Sequence, residues 1–280
     1  MSTRYMIFAL AAVLIWSTLA ILGSKLESVP SFLLVGVALI TSGILSTFKI
    51  RKWKVPSKTL LTGVGGIFGY HFLIFTAYKY SPVVEANLMN YLWPLLIVLL
   101  SPIVLPEYNL EQNHILGALI GLSGATLIIT GGKIQLEIEY LPGYLMAAGA
   151  AIVWALYSLM SKKLPEFPTA AVGGFCMVSG IISLFLYFLG SINQGLYSPN
   201  RLEWIYMILL GLGPMGSAFF VWDRALKDGD PRIIGSITYL TPLLSTMWLI
   251  LAGGKKLTWI SGLAMFLLIT GAFIGTRKKD

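Results

Sequence analysis

Charge is what this sequence has least of. Only 32 of its 280 residues are charged, 20 Lys plus Arg and 12 Asp plus Glu, or 11%, where a soluble domain carries roughly 25%. An ordinary water-soluble globule is excluded at the outset. Histidine occurs twice and cysteine once. There is no H-E-x-x-H pattern, no acidic pair cluster, no spaced Cys/His set and no nucleophile elbow, so metal-dependent and triad-type enzymes lack their residues. One cysteine cannot form a disulfide within the chain, and Cys176, inside an apolar run, reads as a small apolar filler.

What is there is hydrocarbon. The chain is 56% hydrophobic with a mean hydropathy of +0.80, too little polar surface for a water-facing sphere. Apolar runs recur with almost no charge inside them, each long enough at about 1.5 Å per residue to cross a hydrocarbon core of about 30 Å. Ten are expected: Tyr5 to Leu22, Ser31 to Phe48, Thr59 to Tyr78, Val83 to Leu105, Asn113 to Thr130, Leu141 to Met160, Thr169 to Gly190, Leu202 to Trp222, Ile233 to Leu251 and Trp259 to Gly275. The runs are continuously apolar rather than alternating, which favours helices over a transmembrane β-barrel. The first run is long for a secretory signal and no A-x-A-like site follows it, so it is kept as a span. The connections are too short for a soluble domain.

The basic residues are unevenly placed. With the N-terminus inside, fourteen of the twenty fall in inner segments: Arg4, Lys49, Arg51, Lys52, Lys54, Lys58, Lys162, Lys163, Arg224, Lys227, Arg232, Arg277, Lys278 and Lys279. The outer loops keep Lys25, Lys79, Lys133, Arg201, Lys255 and Lys256. The positive-inside rule then puts both termini in the cytoplasm, and the net charge of +8 reads as a topology signal rather than a nucleic-acid footprint.

The two halves repeat. An offset of 138 lays Trp16 on Trp154, Ala9 on Ala147, Ala12 on Ala150 and Lys25 on Lys163; an offset of 148 lays Ala77, Lys79, Tyr91, Leu92, Pro94, Leu95 and Leu96 on Ala225, Lys227, Tyr239, Leu240, Pro242, Leu243 and Leu244. Gly117 falls loosely on Gly262. Residues 1–135 and 136–280 are thus expected to form two five-helix repeats. Five is odd, so the second lies upside down, and such inverted repeats place a substrate path at their interface near the midplane.

Depth then picks out residues. His71 and Tyr91 each stand ten residues from Ser81, and Phe219 and Tyr239 ten from Gly229, about 15 Å in. Trp16, Trp154 and Trp93 are also central, off the interfacial belts where membrane aromatics usually collect. Together these rings point to a lined cavity, against the alternative that they only pack helices. A histidine at midplane is costly without water or a partner, although a core histidine bonded to a nearby carbonyl would also satisfy it. Asn87, Asn90 and Tyr91 form a polar stripe on span four. Pro94 and Pro242 free the carbonyls of Asn90 and Thr238 and mark kinks or hinges. Glu85 is the only carboxylate expected clearly within a span, a candidate gate or a snorkelling side chain. Glycines at 63, 65, 66 and 69 and at 211, 213 and 216 allow close helix approach, and Asp223 with Arg224 reads as an interfacial ion pair.

Ten spans in two inverted repeats, with W-S-T at Trp16 to Thr18 and proline-centred fourth and ninth spans, resemble the drug/metabolite transporter superfamily of the EamA type. More narrowly, E-A-N-L-M-N-Y-L-W-P from Glu85 to Pro94 and T-Y-L-T-P-L-L-S from Thr238 to Ser245 resemble its aromatic amino-acid exporter branch. The resemblance implies an inner-membrane carrier with a central cavity lined here by His71, Tyr91, Trp93 and Trp154. One departure stands out: the Gly-Glu pair common after spans four and nine reads Pro106-Glu107 and Gly254-Lys255. The expectation is therefore an all-α, multi-pass carrier that exports amino acids, aromatic or bulky apolar ones favoured, by alternating access. Candidate substrate residues are Trp16, His71, Asn90, Tyr91, Trp93, Trp154 and Tyr239, and candidate gate or hinge residues are Glu85, Pro94 and Pro242. No cofactor, metal or nucleic acid is called for; the partners are an amino acid and the lipid bilayer, and the oligomeric state is left open, a monomer being compatible. An exporter of quaternary-ammonium or drug-like cations is the alternative, ahead of an intramembrane enzyme or a passive channel.

Overall fold

The computed structural model describes residues 4–192, 195–251 and 258–277. Among them there are helices and loops and no strand. Span one is α1 (Arg4–Ser17) and α2 (Leu19–Gly23), span two α3 (Ser31–Ile44) and span three α4 (Ser57–Tyr80). Span four is α5 (Val83–Asn90) and α6 (Trp93–Val104), and spans five, six and seven are α7 (Gln112–Thr130), α8 (Leu141–Lys163) and α9 (Ala171–Ser191). Span eight joins α10 (Arg201–Leu212) to α11 (Ala218–Asp228) through a π turn at Gly213–Ser217. Span nine is α12 (Pro231–Thr238) and α13 (Leu240–Leu251), and span ten is α14 (Trp259–Thr276). Lys255, Lys256, Lys278 and Lys279, and the Gly254-Lys255 departure, lie outside the described residues.

Nine of these helical units are long and apolar enough to cross a membrane, and ten if a bent pair is one span. The bent pair corrects the second expected run. It is helical only over Ser31–Ile44 and then turns by 89° into the 3-10 helix Thr47–Trp53. The turn is held by Ser46, whose hydroxyl donates to the Ala170 carbonyl (3.0 Å) and accepts from the Trp53 indole (3.0 Å). Lys49, Arg51 and Lys52, all exposed, are thereby turned along the end of the bundle rather than into it. The breaks in other spans have local causes. The Ser17 and Thr18 hydroxyls donate to carbonyls three residues back, at 2.6 and 2.8 Å, and Pro214 opens span eight by removing a backbone donor.

Four pairs join the two halves of the chain, one on eight, two on seven, three on six and five on ten; span four packs chiefly on six and span nine on one, and four and nine touch each other less extensively. Five and ten cross backbone to backbone, since a Cβ on Gly271 would lie 2.5 Å from the Gly121 nitrogen. Lipid offers no hydrophobic drive between helices, so small residues that let backbones meet carry this packing. Ile7, Leu14, Ile103, Leu145, Phe185 and Phe266 are exposed, as a lipid-facing surface requires. Inside, one large cluster of buried side chains reaches from span one to span nine, and a second gathers Leu95, Val98, Ala118, Ala125, Tyr239 and Leu268.

Candidate functional site

Where spans one, three, four, six and eight meet, the interior is ring on ring. Trp16 touches Trp222 at a centroid distance of 5.0 Å and both Trp93 and Trp154 at 6.0 Å, and Trp93 meets Trp222 at 5.7 Å. Trp154 extends the cluster to Tyr70 (5.2 Å), Tyr157 (5.3 Å) and Phe219 (5.4 Å). His71 lies between Tyr70 (5.1 Å) and Phe219 (6.1 Å). The contacts are edge or tilted, the arrangement aromatic quadrupoles favour, worth about 0.5 to 1.5 kcal/mol each beyond burial.

Among the described residues no charged side chain lies between these rings, Asp223 standing at their inner edge, and the polar atoms of the cluster are unevenly satisfied. His71 Nδ1 lies 2.7 Å from the Ile67 carbonyl one turn back. A carbonyl only accepts, so Nδ1 carries the proton and Nε2 of the neutral ring is left as an acceptor. Asn90 donates to the Tyr70 hydroxyl (3.2 Å) while its own Oδ1 is buried without a partner. The Tyr78 hydroxyl donates to Asn87 Oδ1 (3.0 Å). The Trp222 indole donates to Ser158 (3.1 Å), whereas those of Trp16, Trp93 and Trp154 donate to no described group. The site thus offers open acceptors beside Tyr70 and open N–H donors on three indoles.

The expected site residues divide. Trp16, His71, Trp93 and Trp154 come together, and Asn90 joins them through Tyr70. Tyr91 sits at the break in span four, half-buried beside the second core cluster, and makes no ring contact with the tryptophans. Tyr239 is set apart from that cluster: fully buried against Gly121, it accepts a hydrogen bond from the Leu95 N–H (3.2 Å) and donates to the Tyr91 carbonyl (3.3 Å). Its phenol therefore serves the backbone. Pro94 stands second in α6, starting a helix after the break, and Pro242 third in α13. No described side chain hydrogen-bonds the freed carbonyls of Asn90 and Thr238. Glu85 lies in the first turn of α5, half-buried, with no ion-pair or hydrogen-bond partner among the described residues.

Two readings are corrected. Asp223 pairs with Lys227 (2.7 Å), not with Arg224, which bonds Asp228 (3.0 Å). The helix runs six residues past Trp222, so Asp223 is a fully buried carboxylate on the inner flank of Phe219, also accepting from Thr169 (2.7 Å). Glu85 is accordingly not the only carboxylate within a span. Trp222 and Tyr70 are members of the ring cluster that depth alone does not select. Their signal was present: Phe219, Trp222, Asp223 and Leu226 recur at one-turn spacing and bury one face of α11.

A model of the EamA-like transporter family matches residues 3–130 and 141–277. The chain belongs to that family. It is accordingly a transporter and not an enzyme, a multi-pass protein of the inner membrane on the aromatic amino-acid exporter branch. It is 38% identical over 274 residues, 95% of this chain and 94% of the relative, to the aromatic amino acid exporter YddG of Ancylobacter novellus. The protein of that name from Salmonella typhimurium is 25% identical, over 88% of this chain and 87% of its own length. A solved crystal structure 36% identical to this chain superposes with a TM-score of 0.91, covering 98% of this chain and 97% of the other.

Proposed function

We propose that this transporter exports amino acids with aromatic or bulky apolar side chains, by alternating access of two inverted five-helix repeats, 1–135 and 136–280, with both termini cytoplasmic. The observation that carries the substrate class is the ring cluster with open acceptors on Asn90 and His71 and open N–H donors on three indoles. A zwitterion needs both: its ammonium is received by Asn90 Oδ1 and His71 Nε2, its carboxylate by indole N–H groups, and its side chain by the faces of Trp93, Trp154 and Phe219. The names of the relatives agree with this reading. A drug-like cation would want an unpaired carboxylate beside the rings, and the charge of the nearby one, Asp223, is paired with Lys227 through Oδ2, leaving only its Oδ1 without a partner among the described residues.

Two observations support the repeats. The packing scheme is unchanged when each span is exchanged for the one five places on, as a two-fold relation requires. The two sequence offsets also agree with one another in space. Gly143 packs on Ser81 and Gly229 on Tyr5, and these pairs map onto each other by the offsets of 148 and 138.

The inner end is the closed one in this reading. Lys162, ending span six, donates to the carbonyls of Leu226 (3.1 Å), Lys227 (3.1 Å) and Gly229 (2.8 Å) and so ties the span three/six pair to the span one/eight pair. Its counterpart at the outer end is Ser24, whose hydroxyl reaches only Ile21 on its own helix (2.9 Å). Among the described residues the outer ends lack the tie. Uptake of labelled amino acids into proteoliposomes tests the proposal: saturable exchange of phenylalanine, tryptophan or leucine for unlabelled substrate is expected, and transport of tetraalkylammonium ions in place of amino acids would overturn it.

A further inference from the structure

An intact helix closes its ladder from each N–H to the carbonyl four residues back. In span four the Leu95 N–H and Tyr91 carbonyl are such a pair, but the hydroxyl of Tyr239 stands between them, accepting from the first (3.2 Å) and donating to the second (3.3 Å). A side chain inserted into the ladder is an established cause of a bend, and here the helix is interrupted for two residues, Tyr91 and Leu92. Asn90 and Trp93, which face the ring cluster, flank that interruption. The inserting ring is tightly seated, for a Cβ on Gly121 would lie 2.6 Å from it.

The inserting residue and the residue whose carbonyl it takes are counterparts at the offset of 148, as are Leu95 and Leu243. The relation is used only one way in this structure. Span nine is interrupted for a single residue, Tyr239, and the Tyr91 hydroxyl bonds no described group. Tyr239 is fully buried and Tyr91 only half-buried.

We propose that Tyr239 is a positioning residue whose inserted hydroxyl holds span four bent in the inner-closed state, and that Tyr91 makes the reciprocal insertion between Leu243 and Tyr239 in span nine when the carrier opens inward. This rests on the inverted-repeat reading above. In a protein built of two inverted copies, the two access states exchange the conformations of the copies, so a bond made by one copy in one state is made by its counterpart in the other. The two tyrosines then form a two-position latch across the contact of spans four and nine.

Spin labels report the state, with Lys79→Cys and Arg201→Cys across the outer ends and Lys163→Cys and Asp228→Cys across the inner ends. Tyr239→Phe removes one hydroxyl and keeps the ring. It is expected to lower the ratio of inner-closed to inner-open protein about fivefold, the worth of one net hydrogen bond. Tyr91→Phe is expected to raise that ratio by a similar factor, and the double variant to return it toward the starting value. Gly121→Ala, which displaces the Tyr239 ring, should act in the direction of Tyr239→Phe and serves if that variant does not fold. Shifts of the same sign from both tyrosines, or no shift from either, would overturn the latch, since a merely structural phenol loses stability without an opposite-signed partner. Labelled-substrate exchange by the unsubstituted protein is run alongside. Its absence would sink the export reading, while the distances judge the latch independently.

Discussion

At the scale of single residues, the site tests a separation between ring contacts and head-group contacts. Trp93→Ala and Trp154→Ala remove the faces proposed to meet a substrate side chain, so each is predicted to weaken transport of tryptophan or phenylalanine about tenfold more than that of alanine. Competition uptake checks this, and equal losses for all substrates would reduce both to helix packing. His71→Phe should behave differently. The Ile67 carbonyl that His71 bonds is also the backbone acceptor of its own helical turn, so the change strands no buried group outright and should cost at most about 1 kcal/mol of stability. Transport of every zwitterion should fall if the lost Nε2 receives the head group as proposed; uptake at the wild-type level would remove His71 from the site. Depth was enough to find Trp16, His71, Trp93 and Trp154, because residue count along a span fixes depth. It does not fix azimuth across a break. Tyr239 lies at the expected depth but is turned onto span four, and Trp222 escapes selection because the apolar run ends there while the helix continues to Asp228.

Elements carry the next distinctions. Gly65 and Gly66 look alike in the sequence, yet a Cβ at Gly65 meets nothing within 4 Å while one at Gly66 would strike the Tyr157 ring. Gly66→Ala is predicted to lower stability by about 1 to 3 kcal/mol through overpacking. Gly65→Ala should be neutral or raise it by up to about 1 kcal/mol through helix propensity, so thermal denaturation of the purified variants that ranked them the other way would refute the packing of span three on span six. Lys162→Met tests the inner tie. It removes three bonds from one ammonium and should speed alkylation of a Ser158→Cys reporter, buried beneath Trp222, from the inner side; an unchanged rate would make Lys162 only a cap for the end of α11. Nearly all spans were legible as apolar runs, because crossing hydrocarbon fixes a minimum length. The bend after Ile44 was not, since it depends on Ser46 and Trp53 meeting a carbonyl and a glycine of span seven, far along the chain.

For the whole molecule, the decisive quantity is which ends face the cytoplasm, because direction of transport and identity of the closed end both follow from it. Fourteen of twenty basic residues lie on one side when the termini are placed inside, and five of those, Lys49, Arg51, Lys52, Lys54 and Lys58, are exposed around the surface helix Thr47–Trp53 and the start of α4. Lysine and arginine near span ends hold their loops on the cytoplasmic side during insertion. Lys52→Cys should therefore be labelled by a membrane-impermeant maleimide in inverted vesicles and protected in intact cells, and Lys79→Cys, at the outer turn between spans three and four, should show the reverse. A fusion after Asp280 to a reporter that matures only in the cytoplasm should be active. If Lys52 is instead labelled in intact cells, the Lys162 tie becomes an outer gate, the structure becomes an inward-facing state, and the two tyrosines exchange the states they hold, while their opposite signs under Tyr239→Phe and Tyr91→Phe remain as stated.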